Sequence, residues 1–209
     1  SSAASDVYKR QVDDNNNNLW IGTSEGLNVM DKRTGEIKKY KAPSISNNVV
    51  SALCVTRDNT LWVGTDNGLC RYVPEKDTFV VCGDEFGDGR LRYVTIKSLL
   101  EDSDGDLWIG TWAQGLFRYS PSTDKVVVYP KINEQYSSHV IYEDSNKDIW
   151  VGSWGYGLFK LRNPKDMENV SYQSFLHENG DDSSLSDNIV YDIAEDKILI
   201  LYGLVHAVD

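Results

Sequence analysis

The stretch DLWIGTWAQGLFRY at 106–119 is almost restated as DIWVGSWGYGLFK at 148–160. Working outward from it, the same phrase is anchored at Leu19-Trp20, Leu61-Trp62, Leu107-Trp108 and Ile149-Trp150, with 42, 46 and 42 residues between successive tryptophans. Self-similarity at such a period marks a repeat architecture, in which each unit buries its apolar face against its neighbours.

Each anchor continues as IGTSEGL, VGTDNGL, IGTWAQGL or VGSWGYGL. An apolar-polar alternation follows (CRYVP, FRYSP, FKLRNP), then a turn and another β-rich run such as TFVVC or KVVVYP. Ahead of the anchors stand VVSALCV, VTIKSLL, HVIYED and, before a fifth unit, NIVYDIAED. These runs have the period of strands and none has the 3.6-residue period of a helix. Four short antiparallel strands per unit describe the blade of a β-propeller, so the expected fold is all-β, a partial propeller of four to five four-stranded blades.

The repeated residues have mechanical uses in that fold. Trp20, Trp62, Trp108 and Trp150 supply large flat surfaces for packing between blades. Gly22, Gly64, Gly110 and Gly152 allow close backbone approach, and Gly26, Gly68, Gly115 and Gly157 fit a positive φ in the turn into the third strand. Asp14, Asp102, Asp144 and Asp196 open polar turns such as DSDGD and DSNKD.

These residues resemble the two-component regulator propeller repeats found in the sensor regions of Bacteroidetes hybrid two-component histidine kinases. The shared pattern is an apolar strand ending in ED, a polar turn, LWIGT, a short variable loop, GL and RY, with lead-ins SISNNVV at 44–50 and SLSDNIV at 184–190. The resemblance runs over about residues 12–209. It implies an extracytoplasmic, periplasmic sensor propeller that detects oligosaccharides and regulates polysaccharide-utilisation genes. As partners it implies the remaining blades, a downstream sensor domain and a homodimer formed through the longer parent. The kinase chemistry would belong to that parent, so this stretch is not expected to be an enzyme.

Composition narrows the alternatives. The 209 residues are 40% hydrophobic and 25% charged with a net charge of -11, enough apolar material for a substantial core. Contact with nucleic acid is not expected, because phosphates are neutralised by clustered Lys and Arg, which are lacking. No apolar run approaches the ~20 residues of a membrane span. Cys54, Cys70 and Cys82 share no CxxC spacing and read as small buried hydrophobes.

Both ends depart from the pattern. Residues 1–11, SSAASDVYKRQ, look like translated library adapter, and the native repeats are expected from Val12 through Lys197. In three units a Trp follows the turn Asp by six residues, and six beyond Asp196 lies Tyr202. Regrouping one choice of codons for Tyr202–His206 by a single base spells Leu-Trp-Ile-Gly-Thr. The expectation is that 198–209 begin a fifth repeat read out of frame, and that the chain is a fragment.

Candidate ligand contacts lie in the variable loop between GT and GL. Trp112, Trp154 and Tyr156 could stack on sugar rings, with Gln114 and Asn67 offering hydrogen bonds. Packing between blades or against a neighbouring domain is the commoner fate of a Trp and is the reading favoured for them. Acidic pairs such as Glu101-Asp102 point to opposite faces of a strand and do not suit acid–base catalysis. DSDGD at 102–106 lacks the rest of a calcium loop. His139 shares its register with Ser51, Lys97 and Tyr191 and reads as a variable blade position, and His177 sits in a long polar connection expected to be mobile. No catalytic residue, cofactor or metal is therefore expected. Two rival functions remain open: a protein-interaction scaffold, and a lyase-type propeller enzyme that would need convergent His, Tyr or metal ligands.

Overall fold

The computed structural model describes residues 10–129, 132 and 137–196. They form four antiparallel sheets of four strands in sequence order. The first holds β1 (Gln11–Asp13), β2 (Asn18–Thr23), β3 (Gly26–Asp31) and β4 (Ile37–Tyr40); the second β5 (Val50–Val55), β6 (Leu61–Thr65), β7 (Gly68–Val73) and β8 (Thr78–Val81). The third holds β9 (Ile96–Glu101), β10 (Leu107–Thr111), β11 (Leu116–Ser120) and β12 (Lys125–Tyr129); the fourth β13 (Ser138–Glu143), β14 (Ile149–Ser153), β15 (Leu158–Arg162) and β16 (Ser171–Phe175). The strands leading each sheet face one another, β5 against β9 and β9 against β13, which makes them the inner strands of successive propeller blades.

Three apolar clusters fill the three spaces between blades. Trp20 packs with Tyr40 of its own blade and with Tyr72 and Phe79 of the next, at centroid separations of 5.9, 5.0 and 6.5 Å. Trp62 meets Phe86 and Tyr119, and Trp108 lies with Tyr129, Ile132 and Ile141. All three indoles are buried, whereas Trp150 is half-buried and stacks on Phe175. A β-carbon at Gly64 would lie 2.5 Å from Ile96 Cγ2, so any larger residue after the Trp would push the next inner strand away.

One stretch differs from its reading as sequence. NIVYDIAED does not form a strand: Ile189 makes one isolated bridge to Trp154, and Val190 N–H donates to the Ser153 carbonyl. A propeller inner strand is completed by hairpin pairing with the strand that follows, and here those following residues lie beyond 196. At the other end, Gln11 pairs with Ile21 and the Arg10 carbonyl accepts from Gly22 N–H. Backbone pairing of this kind asks little of the side chains. The rest of the expected leader, 1–9, and the expected out-of-frame repeat at 198–209 lie outside the described residues.

Candidate functional site

The strand ends define two faces. On one lie the hairpins joining first and second strands, and there three of the four units repeat the same chemistry. The carboxylates of Asp14, Asp102 and Asp144 accept the indole N–H of Trp20, Trp108 and Trp150 at 2.9, 2.9 and 2.8 Å. Each also accepts two backbone N–H groups of its own turn, as Asp102 does from Asp104 and Asp106. Burial pushes these carboxyls up, but the hydrogen bonds outweigh it and leave all three below the ordinary value.

The glutamate ahead of that Asp turns the other way, onto the preceding blade. Glu101 accepts from Arg57 N–H, Glu143 from Ser103 N–H and Oγ, and Glu195 from Ser145 N–H and Oγ. Both carboxylates of Glu101-Asp102 and of Glu143-Asp144 are thus engaged structurally. In DSDGD, Asp102 holds Trp108, Lys165 and backbone N–H groups, and Asp104 holds Lys147 and Lys165. These partners are all donors, and among the described residues no cluster of His, Cys, Asp and Glu could hold a metal ion.

The opposite face carries the loops between second and third strands. In the second, third and fourth blades the first residue of this loop is fixed by a backbone bond to its own inner strand's lead-in: Asp66 N–H to Val49 O, Trp112 N–H to Thr95 O, and Trp154 N–H to Ser137 O. Two residues past each acceptor come Ser51, Lys97 and His139, so the side chains alternate along the inner rim. Ser51 Oγ donates to Asp66 Oδ1 at 3.3 Å, and Lys97 Nζ stands 3.4 Å from that same oxygen. Lys97 lies 5.7 Å from the Trp112 ring centroid, Trp112 is 6.0 Å from His139, His139 is 5.2 Å from Trp154, and Trp154 is 5.6 Å from Tyr191.

This row is open to solvent. Trp112 is 47% exposed, Trp154 39%, Tyr156 40% and Tyr191 50%, so neither tryptophan is sandwiched between blades. Tyr93, in the lead-in to the third blade, is exposed on the same face beside Arg92. The large exposed aromatics among the described residues all gather here. His139 is the interior member: its Nε2 is buried and makes no hydrogen bond to the described residues. Burial, and secondarily Lys97, pushes its imidazole below the ordinary value, so it is neutral near pH 7.

The structure brings Trp112 and Trp154 together through His139, with Gln114 and Tyr156 exposed two residues beyond each tryptophan in the same loops. Asn67 is set differently: its amide donates to the Ser46 carbonyl within its own blade. The connection after β16 has no regular strand over 176–187 and is held by His177, whose N–H donates to Asn188 Oδ1 and whose Nδ1 meets the Leu185 carbonyl. Lys97, His139 and Tyr191 were visible in the sequence as a shared register, the one signal for their place in the row.

The fold is that of a β-propeller whose blades are stapled on one face and diverge on the other. Its repeats match the family described as two component regulator propeller at residues 44–67, 90–113 and 132–155, so the chain carries two-component regulator propeller repeats. Two solved structures of the extracellular domain of BT4673 from B. thetaiotaomicron are similar. One is described as a one component system (26% identity over 94% of this chain, TM-score 0.77) and one as a hybrid two component system (28% over 87%, TM-score 0.75). A curated relative, Histidine kinase P4 of Formosa agariphila, is 34% identical over 82 residues, 37% of this chain. The chain spans 26% and 24% of those two structures and 6% of that kinase. No helix among the described residues is long and apolar enough to cross a membrane.

Proposed function

We propose that the chain is part of the extracytoplasmic, periplasmic sensor region of a hybrid two-component histidine kinase, and that its input is an oligosaccharide taken on the aromatic rim. The observation carrying this reading is the gathering of Trp112, Trp154, Tyr156 and Tyr191, all exposed, along one row of one face. Open aromatic faces interleaved with Lys97, Asp66 and Gln114 suit a ligand with apolar ring faces and hydroxyl edges. Remaining blades, a downstream sensor domain and a homodimer through the longer protein are the proposed partners. Ligand would signal by favouring one arrangement of these parts, since only differential affinity shifts a conformational equilibrium. The polysaccharide-utilisation genes are the proposed output.

The test is thermal denaturation of the chain in mixed hydrolysates of plant and algal polysaccharides, alone and as Trp112→Ala. A ligand that binds only the folded state raises the midpoint. The expected result is a concentration-dependent rise for the wild type that Trp112→Ala loses. No rise in any hydrolysate would favour an interaction scaffold instead.

A further inference from the structure

The rim row has a polar head and an aromatic body, and the charges around it are arranged unequally. We infer that its ligand is an uncharged oligosaccharide, whose hydroxyls are read by Asp66 and Lys97 at the head of the Trp112–Trp154 platform. This inference rests on the glycan reading above and narrows it to one chemical class.

Lys97 and Ser51 both use Oδ1 of Asp66, at 3.4 and 3.3 Å, and Oδ2 makes no hydrogen bond to the described residues. Both side chains of the ion pair are partly exposed, 23% for Lys97 and 36% for Asp66. Contacts this long are readily exchanged for shorter ones to a ligand. A hydroxyl both donates and accepts, so a carboxylate oxygen next to an ammonium can hold it from two sides without changing the charge of the site. The Trp112 ring adjoins the same ammonium, so a sugar stacked on its face would reach the pair with its edge.

The surrounding charges disfavour both kinds of ion. Among the described residues, Lys41, Arg90 and Arg92 lie beside Glu25, Asp88 and Asp84, as Lys97 lies beside Asp66, so an acidic ligand would have to compete with a carboxylate for each of these cations. The connection at 176–188 adds Glu178, Asp181, Asp182 and Asp187 and no Lys or Arg. It is docked against the platform, the Asn188 carbonyl accepting from Gly155 and Gly157 N–H. A carboxylate or sulfate would approach this acidic segment and a chain of net charge -11. A cationic ligand would instead meet Lys97, which already occupies the electron-rich surroundings of Trp112. His139 adds no charge, since it is neutral near pH 7 and enclosed by the two indoles.

The experiment is tryptophan-fluorescence and calorimetric titration of the 209-residue chain at low salt with three sets of probes. These are neutral tetrasaccharides of glucose, xylose, mannose and arabinose, the tetramer of galacturonate, and the tetramer of glucosamine. The expected result is binding by at least one neutral tetrasaccharide and tighter than by either charged tetramer. Asp66→Asn and Lys97→Met, both at a partly exposed rim, should each weaken that binding by about tenfold, the equivalent of one charge-assisted hydrogen bond. The inference is overturned, with the glycan reading intact, if galacturonate or glucosamine binds more tightly than every neutral probe. It is also overturned if Trp112→Ala abolishes neutral binding while both polar variants leave it unchanged. If no probe of any charge binds, the glycan reading itself fails.

Discussion

The two faces of the propeller use the same strands in opposite ways. On the hairpin face, Asp14, Asp102 and Asp144 repeat one carboxylate–indole bond, and Glu101, Glu143 and Glu195 repeat one interblade latch. On the rim face, the equivalent positions are Ser51, Lys97, His139 and Tyr191, alternating with Asp66, Trp112 and Trp154, and no two blades present the same pair. Sameness from blade to blade accompanies groups satisfied within the fold, buried at Trp108 and exposed at the Glu143 latch, and difference accompanies the open aromatic rim. A repeat fold separates its labour in this way: the face that closes each unit on the next repeats one solution in three of the four blades, Thr56 standing in for the Asp in the second, while the other face is free to become a site.

Exchanging large for small residues on the two faces should break this contrast most visibly. Trp108→Ala removes a fully buried indole from between the third and fourth blades and should cost about 3–5 kcal/mol in denaturant unfolding. Trp112→Ala, on the exposed rim, should cost within about 1 kcal/mol by the same measurement. Equal losses would mean that the rim is as structural as the hairpin face.

Asp102→Ala sharpens the comparison at the level of a single bond. It strands the buried indole N–H of Trp108 and two turn N–H groups, and should cost about 2–4 kcal/mol. Thr56 holds this position in the second blade and bonds Asp58 instead, so Thr56→Ala should cost about 1 kcal/mol.

Acid should weaken the hairpin face. Asp104 is held at about 2 by Lys147 and Lys165, and Asp102 is held below its ordinary value, hydrogen bonds from Trp108 and Lys165 outweighing burial. Carboxyls depressed on folding stabilise the protein above their unfolded pKa, about 4, and that stabilisation is lost as pH falls through the folded values. Urea midpoints should therefore drop between about pH 4 and about pH 2, and Asp104→Asn should flatten that drop. The smallest effect is expected for Glu143→Gln at the exposed latch to Ser103, about 0.5–1 kcal/mol.

Much of the hairpin face was legible before any coordinates. The Trp period and the Gly positions are local and repeat, and the six-residue interval from Asp14 to Trp20 is plain in the sequence. The carboxylate–indole bond behind that interval was not, because a turn-forming Asp and a capping Asp look alike as letters. The rim was legible only in part. Trp112, Trp154, Tyr156 and Gln114 stand out by replacing the Ser24-Glu25 and Asp66-Asn67 of earlier units, yet nothing local says whether such residues face a neighbour or water. His139 and Lys97 escaped as site residues because their partners, Trp112 and Asp66, lie in the preceding blade and become neighbours only when blades dock. Tyr93 falls inside the matched stretch 90–113 but ahead of the strand-like run VTIKSLL, and nothing local shows that it faces water.

The central claim is that one face holds the blades together and the other holds the ligand. It is tested most directly by measuring unfolding free energy and neutral-oligosaccharide affinity on the same Trp112→Ala protein. The account predicts stability near that of the wild type with binding lost. A protein that is strongly destabilised while its affinity is retained would contradict it.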